Sequence, residues 1–195
     1  MSRVLCIAAH PDDEVLGVGG TLLRHKAQGD EVSVALLYEC EARTAEEQRL
    51  QSIAAATSMD IDYNARAIID LDEYVLGFRP DIVYTHSRAD LHQDHQDALQ
   101  RALVACRPQS GVRAIYSFET PSATDWSGVD FQPRLFVKIT STIGAKMRAM
   151  RAYDSEMRDP PHPRNIHSLY ARAEYWGQRA GVDYAEAFEV IRECW

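Results

Sequence analysis

The chain is poor in the residues that mark several common classes of protein. Its four cysteines are scattered without a Cys-x-x-Cys spacing, which argues against a disulfide framework or a zinc cluster. Lys and Arg number 21 against 29 Asp and Glu, a formal charge of −8 that is poorly suited to holding a phosphate backbone. No basic amphipathic face, membrane-length apolar stretch or signal peptide is evident. We therefore expect a cytoplasmic protein without nucleic-acid or membrane partners.

The composition that remains is typical of an ordinary soluble globular protein. The 195 residues are 46% hydrophobic and 26% charged, which fits a single domain spanning 1–195. Apolar runs of strand character alternate with segments of helical periodicity, so we predict an α/β fold. The architecture expected is a Rossmann-like three-layer sandwich, a mainly parallel sheet with helices on both faces. The predicted strands are Val4–Ala9, Glu31–Tyr38, Ala65–Ile69, Ile82–Thr85, Val112–Phe118 and Arg134–Ile139; the predicted helices are Val15–Gln28, Thr44–Ser58, Leu71–Gly77, Gln96–Cys106, Ser141–Tyr153 and His167–Ala180; Tyr184–Ile191 suits a strand or a short helix.

The first polar motif, His10-Pro11-Asp12-Asp13-Glu14, follows a buried strand directly. Proline suits the opening of a helix, and the macrodipole there favours ionised carboxylates. An ordinary surface turn would explain the three acidic residues but not His10. Gly17, Gly19 and Gly20 come next, and their spacing predicts close packing of the helix on the sheet rather than a dinucleotide fingerprint.

The second motif runs from His86 to His95 and follows the predicted strand Ile82–Thr85. Since ligands gather at the carboxyl ends of parallel strands, the two motifs are expected to meet in one site. A catalytic zinc site needs three protein ligands and an open position, which His10, Asp13 and His95 would supply. Zn²⁺ is favoured, and the same donors suit Fe²⁺.

The remaining residues of the two motifs match the other roles of a hydrolytic site. Asp12 is the natural general base for a water molecule and would then carry its proton to a leaving amine. His92, protonated, would stabilise an oxyanion. Asp94 would either hold His92 protonated or orient a ligand histidine.

Ala9–Glu14 together with His92-Gln93-Asp94-His95 resembles the PIG-L/LmbE-like family of zinc-dependent N-acetylglucosaminyl deacetylases. The resemblance implies the same ligands, with Asp12 as the base and His92 as the oxyanion stabiliser. It also implies a small N-acetylated sugar or sugar conjugate as substrate. Arg49, His86 and Asp90 are assigned to substrate binding, although Arg49 is followed by Leu-Gln-Ser where the family often has Arg-x-x-Glu.

Two rival hypotheses stay open at this stage. His92-x-Asp94 with His162 or His167 imitates the two-histidine, one-carboxylate triad of iron oxygenases, but leaves the first motif unused. A non-catalytic metal- or sugar-binding module on the same fold would not need Asp12. Contact of Glu119 or Arg134 with substrate and assembly into a homo-oligomer are also left open.

Overall fold

The computed structural model describes residues 1–38, 45–64 and 70–194, over which strands and helices alternate as predicted. The strands are β1 (Arg3–Ala8), β2 (Glu31–Leu36), β3 (Asp62–Asn64), β4 (Ile82–His86), β5 (Ala114–Phe118), β6 (Leu135–Lys138) and β7 (Ala185–Glu193). The helices are α1 (Asp13–Ala27), α2 (Ala45–Met59), α3 (Leu71–Phe78), α4 (Gln93–Ala105), α5 (Ile143–Met150) and α6 (Ile166–Ala180), with short 3₁₀ helices over Pro108–Ser110 and Arg151–Glu156.

The strands form one seven-stranded sheet in the order β3-β2-β1-β4-β5-β7-β6. Strands β1 to β5 run parallel, whereas β7 pairs antiparallel with both β5 and β6. The C-terminal segment, for which a strand and a short helix were both considered, is therefore a strand. The predicted fold class is confirmed. A mainly parallel sheet of this kind also contradicts the oxygenase hypothesis, which requires a double-stranded β-helix.

Strand β1 shows why helices cover both faces. Val4, Cys6 and Ala8 point into one apolar layer, and Leu5 and Ile7 point into the other. All five are fully buried, as expected for a central parallel strand with no solvated face. Helices α1, α2, α5 and α6 contribute apolar residues to the first layer, and α3 and α4 contribute to the second.

Two glycines of α1 allow that helix to lie directly on the sheet. A Cβ on Gly17 would stand 2.1 Å from the Phe118 ring, and one on Gly20 would stand 2.9 Å from Ile139. The close-packing interpretation of these glycines is thus confirmed at both positions.

Several predicted boundaries are wrong. Helix α4 begins at Gln93, not Gln96, because the His92 side chain accepts a hydrogen bond from the Asp94 amide and caps the helix earlier. Helix α5 ends at Met150, and the non-helical backbone of Tyr153 interrupts the helix predicted to reach it. The predicted strand Ala65–Ile69 and the first residue of the predicted helix Thr44–Ser58 lie outside the described residues, while β3 was not predicted.

None of the helices in the described part of the chain combines the length and hydropathy that a membrane span requires.

Candidate metal centre

The two polar motifs meet because β1 and β4 are neighbours in the sheet and run parallel, with Cys6 opposite Tyr84. Strand β2 lies on the other side of β1, so the chain order reverses between β1 and β4. Such a reversal opens a crevice at the carboxyl ends of the strands. His10 to Asp13 line one side of it, and the start of α4 lines the other.

Asp13 lies at the centre of this crevice. Its Oδ2 accepts a hydrogen bond from the His10 amide at 2.9 Å and lies 3.4 Å from His10 Nδ1 and 3.2 Å from His95 Nε2. The carboxylate is 1% exposed, and its Oδ1 is buried without a hydrogen-bond partner among the described residues. Burial raises the pKa of Asp13, but the surrounding histidines outweigh it and hold that pKa well below its usual range.

His95 is fixed by carboxylates on both ring nitrogens. Its Nδ1 lies 2.9 Å from Asp90 Oδ2, while its Nε2 faces Asp13. Burial lowers the pKa of His95, but Asp13 and Asp90 outweigh burial and raise it to about 10. A ligand histidine held by a carboxylate on its far nitrogen is the usual arrangement in metal sites.

Asp90 was assigned to substrate binding, and the structure contradicts that role. The residue is 1% exposed, and its two oxygens are engaged by His95 and by the His92 amide. Asp90 therefore orients the histidine of the second motif and cannot reach a substrate.

His86 was also assigned to substrate binding and is also fully buried. Its Nε2 accepts a hydrogen bond from the Ala9 amide at 2.9 Å, so the proton resides on Nδ1, which faces Thr120 Oγ1 at 3.2 Å. Burial and the neighbouring His95 hold its pKa well below the usual range. The neutral ring links the residue after β1 to the last residue of β4, and it is too buried to contact a ligand.

The histidines and Asp13 form two overlapping donor groups whose ligand atoms lie within 4.8 Å of one another. One contains Asp13, His86 and His95, and the other contains His10, His92 and His95. In the first group the Nε2 lone pair of His86 is already engaged by Ala9. Neither group contains all three expected ligands. His10 and His95 each approach Asp13 Oδ2 separately, at 3.4 Å from His10 Nδ1 and 3.2 Å from His95 Nε2, so Asp13 lies between the two imidazoles.

Asp94 contacts His10 rather than His92. Its Oδ2 lies 2.9 Å from His10 Nε2 but 3.9 Å from His92 Nδ1. Of the two roles considered for Asp94, this geometry favours orientation of a ligand histidine. Burial lowers the pKa of His10, but Asp13 and Asp94 outweigh burial and raise it.

His92 stacks on the His95 ring at a centroid distance of 4.6 Å and meets the His10 ring edge-on at 5.0 Å. Its side chain is 48% exposed, so one side of the ring is open to the crevice. Burial and the two neighbouring histidines lower its pKa, and the Asp94 amide donates to its Nδ1 at 3.2 Å. The expectation of a protonated His92 is therefore wrong: the neutral ring carries its proton on Nε2.

Asp12 caps α1 in a strained backbone conformation, with φ of +110°. Its carboxylate is 2% exposed, and Oδ2 accepts a hydrogen bond from Arg164 Nη1 at 3.3 Å. Burial and the Asp13 carboxylate raise the pKa of Asp12 to about 8, against the opposing charge of Arg164. The expectation that the helix N-terminus keeps Asp12 ionised is corrected, because loss of hydration outweighs the helix dipole in this protein.

Arg164 is the residue of the site that sequence reasoning missed. It approaches Asp12 from the loop before α6, and its Nε also donates to the Pro121 carbonyl at 3.2 Å. No spacing rule connects residues 152 positions apart. The signal in the sequence is the Pro163-Arg164 pair, which resembles the C-terminal part of the PIG-L/LmbE-like family but was given no role in the site.

Three other residues were considered for substrate contact. The Arg49 side chain lies outside the described residues. Glu119 is buried and bound by Arg172 and by the indole of Trp176, which leaves it no free face. Arg134 is exposed, and its amide donates to the Phe188 carbonyl as part of the β-sheet edge.

Comparison with known proteins agrees with the motifs. Residues 5–61, which include the whole first motif, match the family model described as PIG-L, GlcNAc-PI de-N-acetylase. The chain is 28% identical over 174 residues to the uncharacterized deacetylase YaiS of Escherichia coli, covering 78% of this chain and 90% of YaiS. It is 25% identical over 225 residues to the diacetylchitobiose deacetylase of Thermococcus kodakarensis, covering 98% and 84% of the two chains.

Solved structures share the whole fold. The conserved protein TT1542 of Thermus thermophilus superposes with a TM-score of 0.81 and 27% identity, covering 100% of this chain and 97% of TT1542. GalB of Pseudomonas putida KT2440, a 4-carboxy-2-hydroxymuconate hydratase, gives a TM-score of 0.75 at 21% identity, covering 98% and 96% of the two chains. At that identity the likeness concerns the fold alone. The predicted resemblance to the PIG-L/LmbE-like group is confirmed.

Proposed function

We propose that this chain belongs to the PIG-L/LmbE-like family and is a metal-dependent hydrolase that removes the N-acetyl group of an amino-sugar-type substrate. The proposal assigns the activity to one domain spanning residues 1–195. Its catalytic centre is the crevice between β1 and β4.

The main support for the proposal is the environment of the Asp13 carboxylate. The carboxylate is 1% exposed, one of its oxygens lacks a hydrogen-bond partner among the described residues, and the other faces two imidazoles, an arrangement of donors that suits a divalent cation. His10, Asp13 and His95 would hold that cation, and Asp94 and Asp90 would orient the two imidazoles. We favour Zn²⁺ over Fe²⁺ because two imidazoles and a carboxylate form an established zinc donor set. When bound, such an ion polarises a carbonyl oxygen and lowers the pKa of a coordinated water to ~7.

Asp12 is the general base of the proposed reaction. Its carboxylate follows His10 by two residues, is buried, and is aimed by Arg164. Asp12 takes a proton from the attacking water and delivers it to the amide nitrogen as the C–N bond breaks, which releases acetate and a free amine. A buried carboxylate whose pKa lies near neutrality is suited to accept and return a proton in this way.

His92 supplies a hydrogen bond to the oxyanion that forms at the carbonyl oxygen when water adds to the carbonyl carbon. Because its Nδ1 is occupied by the Asp94 amide, its Nε2 carries the proton in the neutral ring. A fixed neutral donor of this kind can stabilise developing charge without itself changing protonation.

A non-catalytic metal- or sugar-binding module is the second candidate, because a fold does not by itself specify an activity; GalB, which shares this fold, is named for a different reaction. The strained Asp12 argues for catalysis. A non-glycine residue at φ +110° costs of order 1–3 kcal/mol, and such outliers concentrate at active sites.

A panel of N-acetylated sugars, assayed for acetate release before and after chelation, tests the proposal. We expect release that is lost on chelation and restored by one equivalent of Zn²⁺ or Fe²⁺. Full activity in protein shown by elemental analysis to be metal-free would refute metal dependence. A metal-loaded protein that releases no acetate from any member of the panel would favour the binding-module alternative.

A further inference from the structure

An exposed indole stands beside the proposed active site. Trp126 is 59% exposed, although tryptophan is normally among the more buried residues. Leu91, which immediately precedes His92, is 56% exposed. These two apolar side chains lie on segments that are joined to each other and to the metal centre.

The turn that carries Trp126 is bonded to the second motif. The Leu91 amide donates to the Ala123 carbonyl at 3.1 Å, and Thr124 Oγ1 lies 3.5 Å from Asp90 Oδ2. Asp90 is the residue that orients His95. The turn is closed by the Trp126 amide, which donates to the Ser122 carbonyl at 3.1 Å.

The indole also contacts the segment that positions Asp12, the proposed general base. The His162 ring packs perpendicular to it, at 90° and a centroid distance of 5.3 Å. His162 Nδ1 accepts a hydrogen bond from the Arg164 amide at 3.0 Å, and the Arg164 side chain binds both Asp12 and the Pro121 carbonyl. The orientation of Trp126 is thus set by the same segment that aims Asp12.

We propose that Trp126, together with Leu91 on the segment bonded to its turn, is the platform on which the sugar ring of the substrate rests while its acetamido group occupies the metal centre. This inference rests on the proposed function and names the part of the site that selects a ring. A pyranose presents C–H groups on its faces and hydroxyls at its edge, so an aromatic plane can cover a face while the hydroxyls stay hydrated. Exposed apolar groups at the rim of a polar crevice commonly mark such contacts.

Steady-state kinetics with N-acetylglucosamine and N,N′-diacetylchitobiose test the platform. For Trp126→Ala we expect KM to rise roughly 5- to 30-fold with kcat changed less than about twofold, and Trp126→Phe to recover most of the loss. Tyr175→Ala is the matched control. Tyr175 is 52% exposed on α6, its ring packs against Trp176, and the KM of this variant should match the wild type. An unchanged KM in folded Trp126→Ala would overturn the proposal.

Indole emission gives a readout independent of turnover. Covering an exposed indole should shift its emission to shorter wavelength, so the wild type should show a saturable shift with either sugar. The shift should be absent in Trp126→Phe, which retains Trp195 and the buried Trp176. A shift that persists in Trp126→Phe, or its absence in the wild type, overturns the platform. If the wild type releases acetate but shows no shift, the platform is refuted and the deacetylase proposal stands. If the wild type shows the shift but releases no acetate, the deacetylase proposal is refuted and binding of a sugar ring at Trp126 stands.

Discussion

Arg164 Nη1 donates to Asp12 Oδ2 at 3.3 Å, which joins the loop before α6 to the first polar motif of the chain. Burial and the Asp13 carboxylate raise the pKa of Asp12, and the positive charge of the guanidinium opposes them.

Removing Arg164 should therefore weaken the proposed base. In Arg164→Ala the pKa of Asp12 rises further, so a higher pH is needed to ionise it and the acidic limb of the kcat/KM profile moves upward. Metal content should not change, because the Arg164 side chain bonds to Asp12 and the Pro121 carbonyl rather than to a proposed ligand. Arg113→Ala is the matched control, since Arg113 pairs with Asp81 at 3.2 Å away from the site. An acidic limb that stays in place would contradict this role.

Asp12 and His95 should respond differently to substitution. Asp12→Asn should retain the metal and lose ~10²–10⁴-fold in kcat, the usual value of a general base, whereas His95→Ala should lose metal and activity together. Elemental analysis with kinetics distinguishes the two outcomes. Asp70→Asn, at the N-cap of α3, is the control for the same change outside the site and should keep both metal and activity. Loss of metal from Asp12→Asn would mean that the roles of Asp12 and Asp13 are reversed.

Asp90 should act on metal affinity through His95. Asp90→Asn removes the charge that fixes His95 Nδ1, and loss of such an orienting carboxylate typically weakens metal binding ~10–100-fold. Competition with a chromogenic chelator measures this change. Asp30→Asn is a close control because Asp30 holds His25 Nδ1 at 2.8 Å in an equivalent pair elsewhere. If both variants bind metal like the wild type, Asp90 has only a structural role.

His92 should stabilise the oxyanion with a hydrogen bond from its uncharged ring. Loss of one oxyanion donor costs ~10²–10³-fold in kcat, and we expect His92→Ala to show that loss evenly across the pH range. A protonated His92 would instead give a loss that shrinks as pH rises through its pKa, which burial and its histidine neighbours lower. His92→Gln should recover part of the activity, and His167→Ala on the exposed face of α6 should change nothing.

The buried pair Lys146–Glu186 should matter for stability rather than for chemistry. Lys146 Nζ donates to Glu186 Oε1 at 2.6 Å and to the Leu16 carbonyl at 2.8 Å, and both side chains are nearly fully buried. Lys146→Met leaves the Glu186 charge uncompensated, which costs about 3–5 kcal/mol. For a chain of this size that corresponds to a Tm lower by roughly 6–20 °C in calorimetry. Lys138→Met, at an exposed position on β6, should leave Tm unchanged within about 1–2 °C because surface substitutions change stability little.

The sequence was sufficient for the fold class and for the meeting of the two polar motifs in one crevice. Val4–Ala9 is continuously apolar because β1 is covered on both faces, and that run is visible in the sequence alone. His10 and His95 could be assigned to one centre because parallel strands end at the same edge of a sheet. Local spacing also indicated close packing at Gly17 and Gly20.

Roles that depend on burial and on distant partners required the tertiary structure. Whether a carboxylate binds substrate or orients a histidine depends on its solvent access, and Asp90 loses that access to neighbours brought in by folding. The protonation of Asp12 and His92 depends on desolvation and on charges from other segments, which outweigh the local helix dipole and the adjacent acid. Arg164 reaches Asp12 only because α6 packs on the same face of the sheet as α1, a contact between segments that no local pattern encodes.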